Sequence, residues 1–322
     1  MRKARPFRRE EVEGLSAATS PATGRRYGLS RACRALGVPR STLYAQRSRE
    51  AAAPSAPPPA RRGPKPKTSD AELLAAIRAD LAASPFRGEG HRKVWARLRV
   101  GRGLGVRQEI RVGKDRVRRV MREHNLLSPH RSCRRETISH DRRITTDAPN
   151  VMWGADGLRV WTVEDGWGWV FANVEHWNAE CMGAHVVKLG DRFAAAEPVA
   201  QGVLSEFGSV GADAARGLKL RIDHGTQYLS DHFQAQIKFW GIAPSFAFLA
   251  EPETNGVVER FFRTLREQVL HGRTYRTLEE VRRAVNAFVE VYNESWLLEK
   301  LGYQSPRQAR REHEARSTSK VA

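Results

Sequence analysis

Cysteine is scarce in this 322-residue chain, which has three: Cys33, Cys133 and Cys181. Their wide separation argues against a disulfide framework or a cysteine-rich zinc site, and it fits a reducing compartment. Long apolar runs are also lacking. No stretch approaches the roughly 20 apolar residues that span a bilayer, and no apolar segment follows the basic N-terminus as in a signal peptide. We therefore predict a cytoplasmic protein with no membrane partner.

Acidic residues are scarce in the first half of the chain. Residues 1–150 contain 35 Lys and Arg against 14 Asp and Glu, a balance of +21, whereas residues 151–322 contain 20 against 22. All of the excess in the formal net charge of +19 therefore lies in the first half. Such a distribution favours a polyanion, usually nucleic acid, through counterion release. A basic membrane-surface protein is the alternative, but no helix pattern opposes a Trp/Phe/Leu face to a Lys/Arg face.

Helix-turn-helix spacing occurs near the N-terminus. Residues 29–47, LSRACRALGVPRSTLYAQR, carry two short apolar stripes separated at Gly37, with Arg40 at the start of the second. A generic helical hairpin explains this pattern equally well, and the basic context favours DNA. We assign residues 1–50 to a basic helix-turn-helix-like arm, of which residues 1–27 are expected to have little fixed structure. Residues 51–67 form a Pro-rich linker.

A second small all-α unit is predicted over residues 68–130. Its first helix begins with a capping box of Ser69 and Glu72, and two more helices lie near residues 92–98 and 115–124. Their polar faces are rich in Arg with few matching carboxylates, which favours phosphate contacts over a merely solvated face. Residues 131–149 are a basic connector. The predicted DNA contacts in this half are Arg40, Arg92, Lys93, Arg118 and Arg119.

From residue 150 the pattern changes to that of a mixed α/β domain. The segments VMWGADGLRV, WGWVFANV, MGAHVVKL, LKLRID and IAPSFAF predict five strands. Helices are predicted over residues 194–207, 231–240, 256–270 and 278–292. A run of strands followed by alternating helices and strands indicates a mixed sheet. We assign residues 150–312 to this catalytic core and residues 313–322 to a tail.

Three carboxylates occupy unusual positions in that domain. Asp156 lies among apolar residues of the first strand, Asp223 ends the fourth strand, and Glu259 lies beside the apolar stripe of the helix over 256–270. Carboxylates that meet at one sheet edge repel unless they are protonated or bridged by cations, and oxygen ligands suit Mg²⁺ or Mn²⁺. For one acid alone a turn or an ion pair is the simpler explanation. For all three together, a two-metal phosphoryl-transfer site is favoured, with Arg263 and Arg266 holding the DNA backbone.

The segments around these acids are MWGADG, RIDHGTQYLSDHF and EPETNGVVERFFRTLRE, with 35 residues between Asp223 and Glu259. They resemble the three blocks of the DDE transposases of bacterial insertion sequences, relatives of retroviral integrase. SPFRGEGHRKVWARL and GKDRVRRVMREHNLL resemble the helical DNA-binding region that precedes this core, and YQSPRQARRE resembles its C-terminal ending. The resemblance covers roughly residues 70–310 of the sequence.

This resemblance implies a ribonuclease H-like core in which Asp156, Asp223 and Glu259 are the catalytic acids and bind two divalent ions. It also implies cleavage and joining of DNA at the terminal repeats of an element, insertion into target DNA, and a homo-oligomer on DNA. Gln227 and Tyr228 match the family too, and substrate positioning and loop packing explain them equally well. Glu175 stands where many relatives have Asp, outside the ligand set.

Two other functions fit the same residues. A ribonuclease H-like nuclease would use the same acids, although two basic DNA-binding units argue against a nuclease of RNA hybrids. The other is a non-enzymatic DNA-binding protein, such as a degenerate copy of an insertion sequence, and the complete set of acids argues against it. Short inverted repeats that flank the coding region would favour the transposase.

Overall fold

The computed structural model describes residues 9–51, 67–100, 110–129, 145–246 and 255–321. These residues belong to two units, 1–66 and 67–322. Most of the predicted linker (51–67) and of the predicted connector (131–149) lies outside the described residues, as does Cys133. Among the helices of the described ranges, none has the length and apolar character of a membrane span.

The first unit contains three helices: α1 (Arg9–Ala17), α2 (Gly28–Ala35) and α3 (Arg40–Ala51). The turn between α2 and α3 passes through Gly37 at φ +64°, a backbone conformation that suits glycine. Helix α1 lies within residues 1–27, for which the sequence predicted little fixed structure, and that expectation is wrong. One apolar residue of α1, Val12, is fully buried. The small core of this unit is Val12, Ala32, Cys33 and Leu43.

The second unit begins with α4 (Asp70–Ala83), α5 (His91–Val100) and α6 (Lys114–Glu123), which confirms the three predicted helices. The capping box is present: the Glu72 N–H donates to Ser69 Oγ (3.2 Å), and the Ser69 N–H donates to Glu72 Oε2 (2.7 Å). Apolar residues from all three helices form one core. Its members are Leu73, Ile77, Val94, Leu98, Val117, Val120 and Met121.

A five-stranded mixed sheet follows. Strands β1 (Met152–Thr162), β2 (Gly166–Glu175) and β3 (Cys181–Val187) form an antiparallel meander. Strands β4 (Lys219–Ile222) and β5 (Ala243–Phe246) run parallel to β1, and the strand order is β3-β2-β1-β4-β5. This is the ribonuclease H-like sheet that the sequence predicted.

Helices cover both faces of the sheet. One face packs against α7 (Arg192–Phe207), α8 (Thr226–Leu229) and α9 (Asp231–Phe239). The other packs against α10 (Gly256–Leu265), a π-helical turn (Arg266–Leu270) and α11 (Leu278–Ser295). Trp153 and Ala155 of β1 lie in the first cluster, and Leu158 and Val160 lie in the second. Because successive strand residues point to opposite faces, Asp156 belongs to the face that α10 covers.

Helices α4–α6 contact the sheet domain directly. The ring of Phe86 meets the ring of Trp296 edge to face, with 4.8 Å between centroids. The backbone of Arg87 donates to Gln268 Oε1 and accepts from Gln268 Nε2, both at 2.9 Å. Helices α4–α6 and the sheet therefore pack as parts of one unit.

The last helix, α12 (Pro306–Val321), is joined to the sheet by a buried arginine. The guanidinium of Arg310 donates to Glu180 Oε2 and to Glu206 Oε2, both at 2.6 Å, and lies 4.0 Å from Glu175. Burial raises the pKa of Glu175, whose carboxylate accepts hydrogen bonds from Asn150, Trp153 and Trp177. Glu175 is thus a structural acid of this cluster.

Candidate active site

Two of the three predicted acids reach the same level of the sheet. In the parallel pair of β1 and β4, Gly154 lies opposite Arg221. Asp156 and Asp223 come two residues later in their chains, so they face the same side on neighbouring strands, which are about 4.8 Å apart in a sheet. Asp223 directly follows the end of β4. The Asp223 carboxylate therefore lies at the end of the sheet where the parallel strands β1, β4 and β5 have their C-terminal ends.

Backbone amides orient both carboxylates. The Gly157 N–H donates to Asp156 Oδ1 (2.7 Å), and the Gly225 N–H donates to Asp223 Oδ1 (2.9 Å). A Cβ at position 225 would lie 2.9 Å from that same Asp223 oxygen, so the close approach of this turn requires glycine. The Asp-x-Gly turn at residues 223–225 therefore also fixes the position of the Asp223 carboxylate.

Glu259 lies in the first turn of α10, on its exposed side. The residue that precedes this helix, Asn255, is buried, and its Nδ2 donates to the carbonyl of Ala155 (3.2 Å). A Cβ at Gly154 would lie 2.8 Å from Asn255 Oδ1, so glycine leaves the space for this amide. Asn255 thereby fixes the start of α10 beside Asp156. Asn255 was not among the predicted site residues, and its signal in the sequence is the Thr-Asn-Gly before the helix.

The charges of Asp223 and Glu259 act on Asp156. The pKa of Asp156 is raised to about 6, mainly by burial and further by the charges of Asp223 and Glu259. Even so, among the described residues no three His, Cys, Asp or Glu side chains lie close enough together to bind one metal ion. Like charges repel in the absence of a bridging cation. Carboxylate oxygens are the ligands that Mg²⁺ and Mn²⁺ prefer, so the donor set fits these ions.

Arg266 lies within electrostatic range of the acids, since its charge lowers the pKa of Asp156. It is exposed and begins the π-helical turn, a feature that often occurs at functional sites. Arg263 is exposed one turn earlier on α10. Both remain predicted DNA contacts.

The predicted DNA contacts of the N-terminal half differ in their surroundings. Arg40 of α3 and Arg118 of α6 are exposed. Arg119 is held by two carboxylates, with Asp70 at 2.6 Å and Glu123 at 2.8 Å.

Arg92 and Lys93 of α5 face the sheet domain. Arg92 pairs with Glu299 (2.6 Å), and the ammonium of Lys93 lies over the ring of Trp296, 3.5 Å from Glu89. Burial lowers the pKa of Lys93 to about 7. In this arrangement both side chains contact the chain itself, and their contact with DNA stays a prediction.

Two family profiles match the chain. The profile described as "HTH-like domain" matches residues 69–134, and the one described as "Integrase core domain" matches residues 241–306, which include Glu259, Arg263 and Arg266. Part of the chain, residues 241–306, is therefore similar to an integrase core domain. An HTH-like domain followed by an integrase core implies DNA as a partner and a divalent metal as a cofactor.

Proteins similar to this chain include insertion-sequence transposases, which confirms the predicted resemblance. The transposase of IS629 from Shigella sonnei is 24% identical over 242 residues, covering 70% of this chain and 75% of the relative. Transposase InsD of IS2 from Escherichia coli is 25% identical over 244 residues, covering 75% and 79%. The catalytic core domain of BIV integrase aligns with 52% of this chain and 99% of its own, at 19% identity and a TM-score of 0.38.

Proposed function

We propose that this protein is a DNA transposase that cleaves and joins insertion-sequence ends by two-metal phosphoryl transfer at Asp156, Asp223 and Glu259. One observation carries the proposal. Asp156 of β1 and Asp223, which directly follows β4, stand side by side, and the charges of Asp223 and Glu259 both act on the half-buried Asp156. Acids crowded in this way cost stability unless a cation neutralises them.

Each side chain has a distinct role in this proposal. Asp156 and Asp223 supply metal ligands from the rigid sheet, with one oxygen of each fixed by a glycine N–H. Glu259 supplies the third carboxylate from α10. When bound, two Mg²⁺ or Mn²⁺ ions activate the attacking hydroxyl and stabilise the leaving oxygen. Arg266 and Arg263 bind the phosphates of the DNA end beside the acids.

The partners follow from the same proposal. The terminal repeats of the element are bound by the basic helical units, and target DNA is captured at the integrase core. The protein acts as a homo-oligomer on these DNA ends, in the cytoplasm and at the nucleoid. Arg40 and Arg118 are exposed on separate helical units and suit phosphate contacts there.

Cleavage and joining of DNA that carries the sequences flanking the coding region test this function. In MgCl₂, the wild type should nick the element end and join it to target DNA, whereas Asp156→Asn, Asp223→Asn and Glu259→Gln should each lose both products. Binding of the same DNA should persist, because an amide is a poor metal ligand but leaves the basic surfaces unchanged.

Asp213→Asn is the matched control. Asp213 is exposed and pairs with Arg216 at 2.6 Å, so the variant should keep full activity. Nicking without joining would instead indicate a nuclease, and DNA binding without either product would indicate a non-enzymatic DNA-binding protein. Activity retained in one acid variant would remove that residue from the site.

A further inference from the structure

One face of the hairpin formed by β1 and β2 carries exposed aromatic side chains. Leu158 and Val160 of β1 are buried against α10 and α11. Arg159 and Trp161 point to the other face and are exposed. Trp161 lies directly opposite Trp167 of β2, and these two side chains are 50% and 54% exposed. A contiguous exposed aromatic surface on two paired strands is a feature of binding sites.

Arg159 joins the two exposed tryptophans into a larger patch. Its guanidinium lies 4.8 Å from the ring centroid of Trp167 and 5.8 Å from that of Trp169, its cross-strand neighbour. Trp169 is half-buried, and its ring stacks on that of Phe171 with 5.6 Å between centroids. We call Arg159, Trp161, Trp167 and Trp169 the hairpin patch. Its inner side is anchored in the core, and its outer side presents two exposed rings.

Two more cations lie beside the hairpin patch. The ammonium of Lys188 lies near the hairpin turn, since a Cβ at Gly166 would be 3.6 Å from its nitrogen. Arg192 is exposed two residues after Gly190, where a Cβ would be 2.6 Å from the ring of Trp169. Among the described residues, neither these two cations nor the arginine of the patch pairs with a carboxylate.

The acidic groups of this region have partners within the chain. Glu164 in the hairpin turn pairs with Arg276 at 2.6 Å, and Asp165 accepts a hydrogen bond from the Leu278 N–H at 2.6 Å. Asp191 accepts from backbone N–H groups at the start of α7. The hairpin patch therefore combines exposed indole rings with cations that have no ion-pair partner. Bases that stack on the rings and phosphates that pair with the cations match both features.

The hairpin patch is close to the acid site along β1. Trp161 is five residues after Asp156, about 17 Å in an extended strand, and about five nucleotides of one DNA strand span this distance. The patch faces the side of the sheet opposite to Asp156. Beyond Gly154, β1 has no strand partner on its β4 side in the described part of the chain, so a DNA strand can cross this edge.

We propose that the hairpin patch binds the bases of an unpaired DNA strand that extends from the acid site. The bases of a duplex are stacked on one another, so exposed indole rings select nucleotides that have no pairing partner. The phosphates of the same strand pair with Arg159, Lys188 and Arg192. This inference rests on the proposed function, since processing of an element end brings such a strand to the acids.

The test measures the affinity of the full-length protein for unpaired DNA. The probe is a fluorescein-labelled oligothymidine of about 15 nucleotides in about 0.5 M NaCl, where counterion release by the basic first half contributes little. Replacing Trp161 and Trp167 together by alanine should raise its Kd about ten-fold or more, because two stacking surfaces are lost. The Kd for a duplex, measured in about 0.1 M NaCl, should change less than about two-fold. An unchanged Kd for the oligothymidine, or no binding by the wild type, would overturn the proposal.

Two further double variants separate ring stacking from apolar contact. Phenylalanine at positions 161 and 167 should keep the Kd within about three-fold of the wild type, whereas leucine should bind as weakly as alanine. Equal affinity of the leucine and phenylalanine variants would contradict stacking. Phe239→Ala is the matched control, since Phe239 on α9 is 50% exposed and lies outside the patch, and it should bind as the wild type does. Thermal unfolding verifies that each variant is folded.

The remaining outcomes distinguish this proposal from its rivals. A dimer that becomes monomeric when both tryptophans are replaced, with unchanged oligothymidine binding, would assign the patch to a second copy of the chain and overturn the proposal. If the wild type cleaves and joins DNA but its oligothymidine binding does not depend on the tryptophans, the patch is wrong and the transposase proposal stands. If the tryptophans are needed for oligothymidine binding but the wild type neither cleaves nor joins DNA, the proposed function fails and the site for unpaired DNA stands.

Discussion

Asp156 carries an electrostatic cost in the candidate site. Its carboxyl ionises near pH 6 in the fold, against 3.8 for an ordinary aspartate. The folded protein therefore binds this proton more tightly than the unfolded chain does. Ionisation of Asp156 lowers the free energy of unfolding as pH rises from about 4 to about 6, and the whole cost is present above that range.

Asp156→Asn should therefore stabilise the protein at neutral pH while it abolishes cleavage. At pH 7.5 we expect a gain of about 2 kcal/mol in the free energy of unfolding, which should vanish near pH 4. Thermal unfolding of both proteins across this range measures the difference. MgCl₂ should raise the Tm of the wild type at pH 7.5 and have little effect on the variant.

Asp213→Asn again provides the control, and its Tm should stay within about 1 °C of the wild type at each pH. The electrostatic account would be contradicted if the difference in stability between Asp156→Asn and the wild type does not change with pH. A difference that grows at low pH would contradict it as well.

At the scale of the element, the contact between α10 and β1 decides where Glu259 lies. The Asn255 amide occupies the space above Gly154, and the imidazole of His176 lies beside it, 3.2 Å from where a Cβ would be. His176 is itself buried, and burial lowers its pKa to about 4. The contact between the start of α10 and β1 is therefore polar and tightly packed. It leaves little room for an added methyl group at position 154.

Gly154→Ala and Asn255→Ala should each destabilise the protein and reduce cleavage, but they should not act independently. The alanine at position 154 collides with Asn255, and this collision disappears when Asn255 is shortened. The double variant should lose less free energy of unfolding than the two single losses added together, by about 1 kcal/mol. Urea unfolding of all four proteins measures this coupling, and simple additivity would show that the two residues do not compete for the space.

Most elements of the sheet domain were predictable because apolar periodicity reports which residues face a core. The stripe of Val258, Phe262, Leu265 and Val269 is buried as predicted. The α-helix nevertheless ends at Leu265 and continues as a π-helical turn, which periodicity does not reveal. Helix α1 was missed because its contacts are with other helices: Val12 packs in the core formed with α2 and α3, and Glu13 pairs with Arg47 of α3 at 3.0 Å.

Candidate site residues were predictable where a local sequence motif surrounds them, and not where their role depends on a contact with a distant segment. The acids stand in distinctive segments, so the sequence indicated them, and their roles stay predictions until activity is measured. Asn255 was missed because its partner, Ala155, is 100 residues away. The contacts of Arg92 with Glu299 and of Lys93 with Trp296 likewise join distant segments, and basic composition alone cannot distinguish them from exposed phosphate contacts.

The whole molecule has a basic first half and a nearly neutral second half. Binding of DNA by the full-length protein should therefore weaken steeply with salt, through counterion release. Individual arginines should contribute unequally to this salt dependence. Arg118 is exposed, whereas Arg119 must first give up Asp70 and Glu123.

Arg118→Ala should reduce the slope of log K against log salt concentration by about 1, and Arg119→Ala should reduce it less. Fluorescence anisotropy with a duplex that carries the element end, titrated at several salt concentrations, measures both slopes. Circular dichroism of each variant verifies that α6 is intact. Equal reductions of the two slopes would mean that breaking the ion pairs of Arg119 with Asp70 and Glu123 costs no free energy when DNA binds.

The ion pairs that Arg310 makes with Glu180 and Glu206 affect how a truncated copy of this gene should be judged. A reading frame that stops before codon 310 keeps Asp156, Asp223 and Glu259, yet it deletes the guanidinium that pairs with Glu180 and Glu206 at 2.6 Å and lies 4.0 Å from Glu175. Removing one partner from a buried ion pair costs about 3–5 kcal/mol, a large share of the stability of an ordinary domain. Such a truncated copy would be lost to unfolding and proteolysis before its chemistry mattered. Intact codons for the three predicted acids are therefore a poor marker of an active copy unless the codon for Arg310 is intact as well.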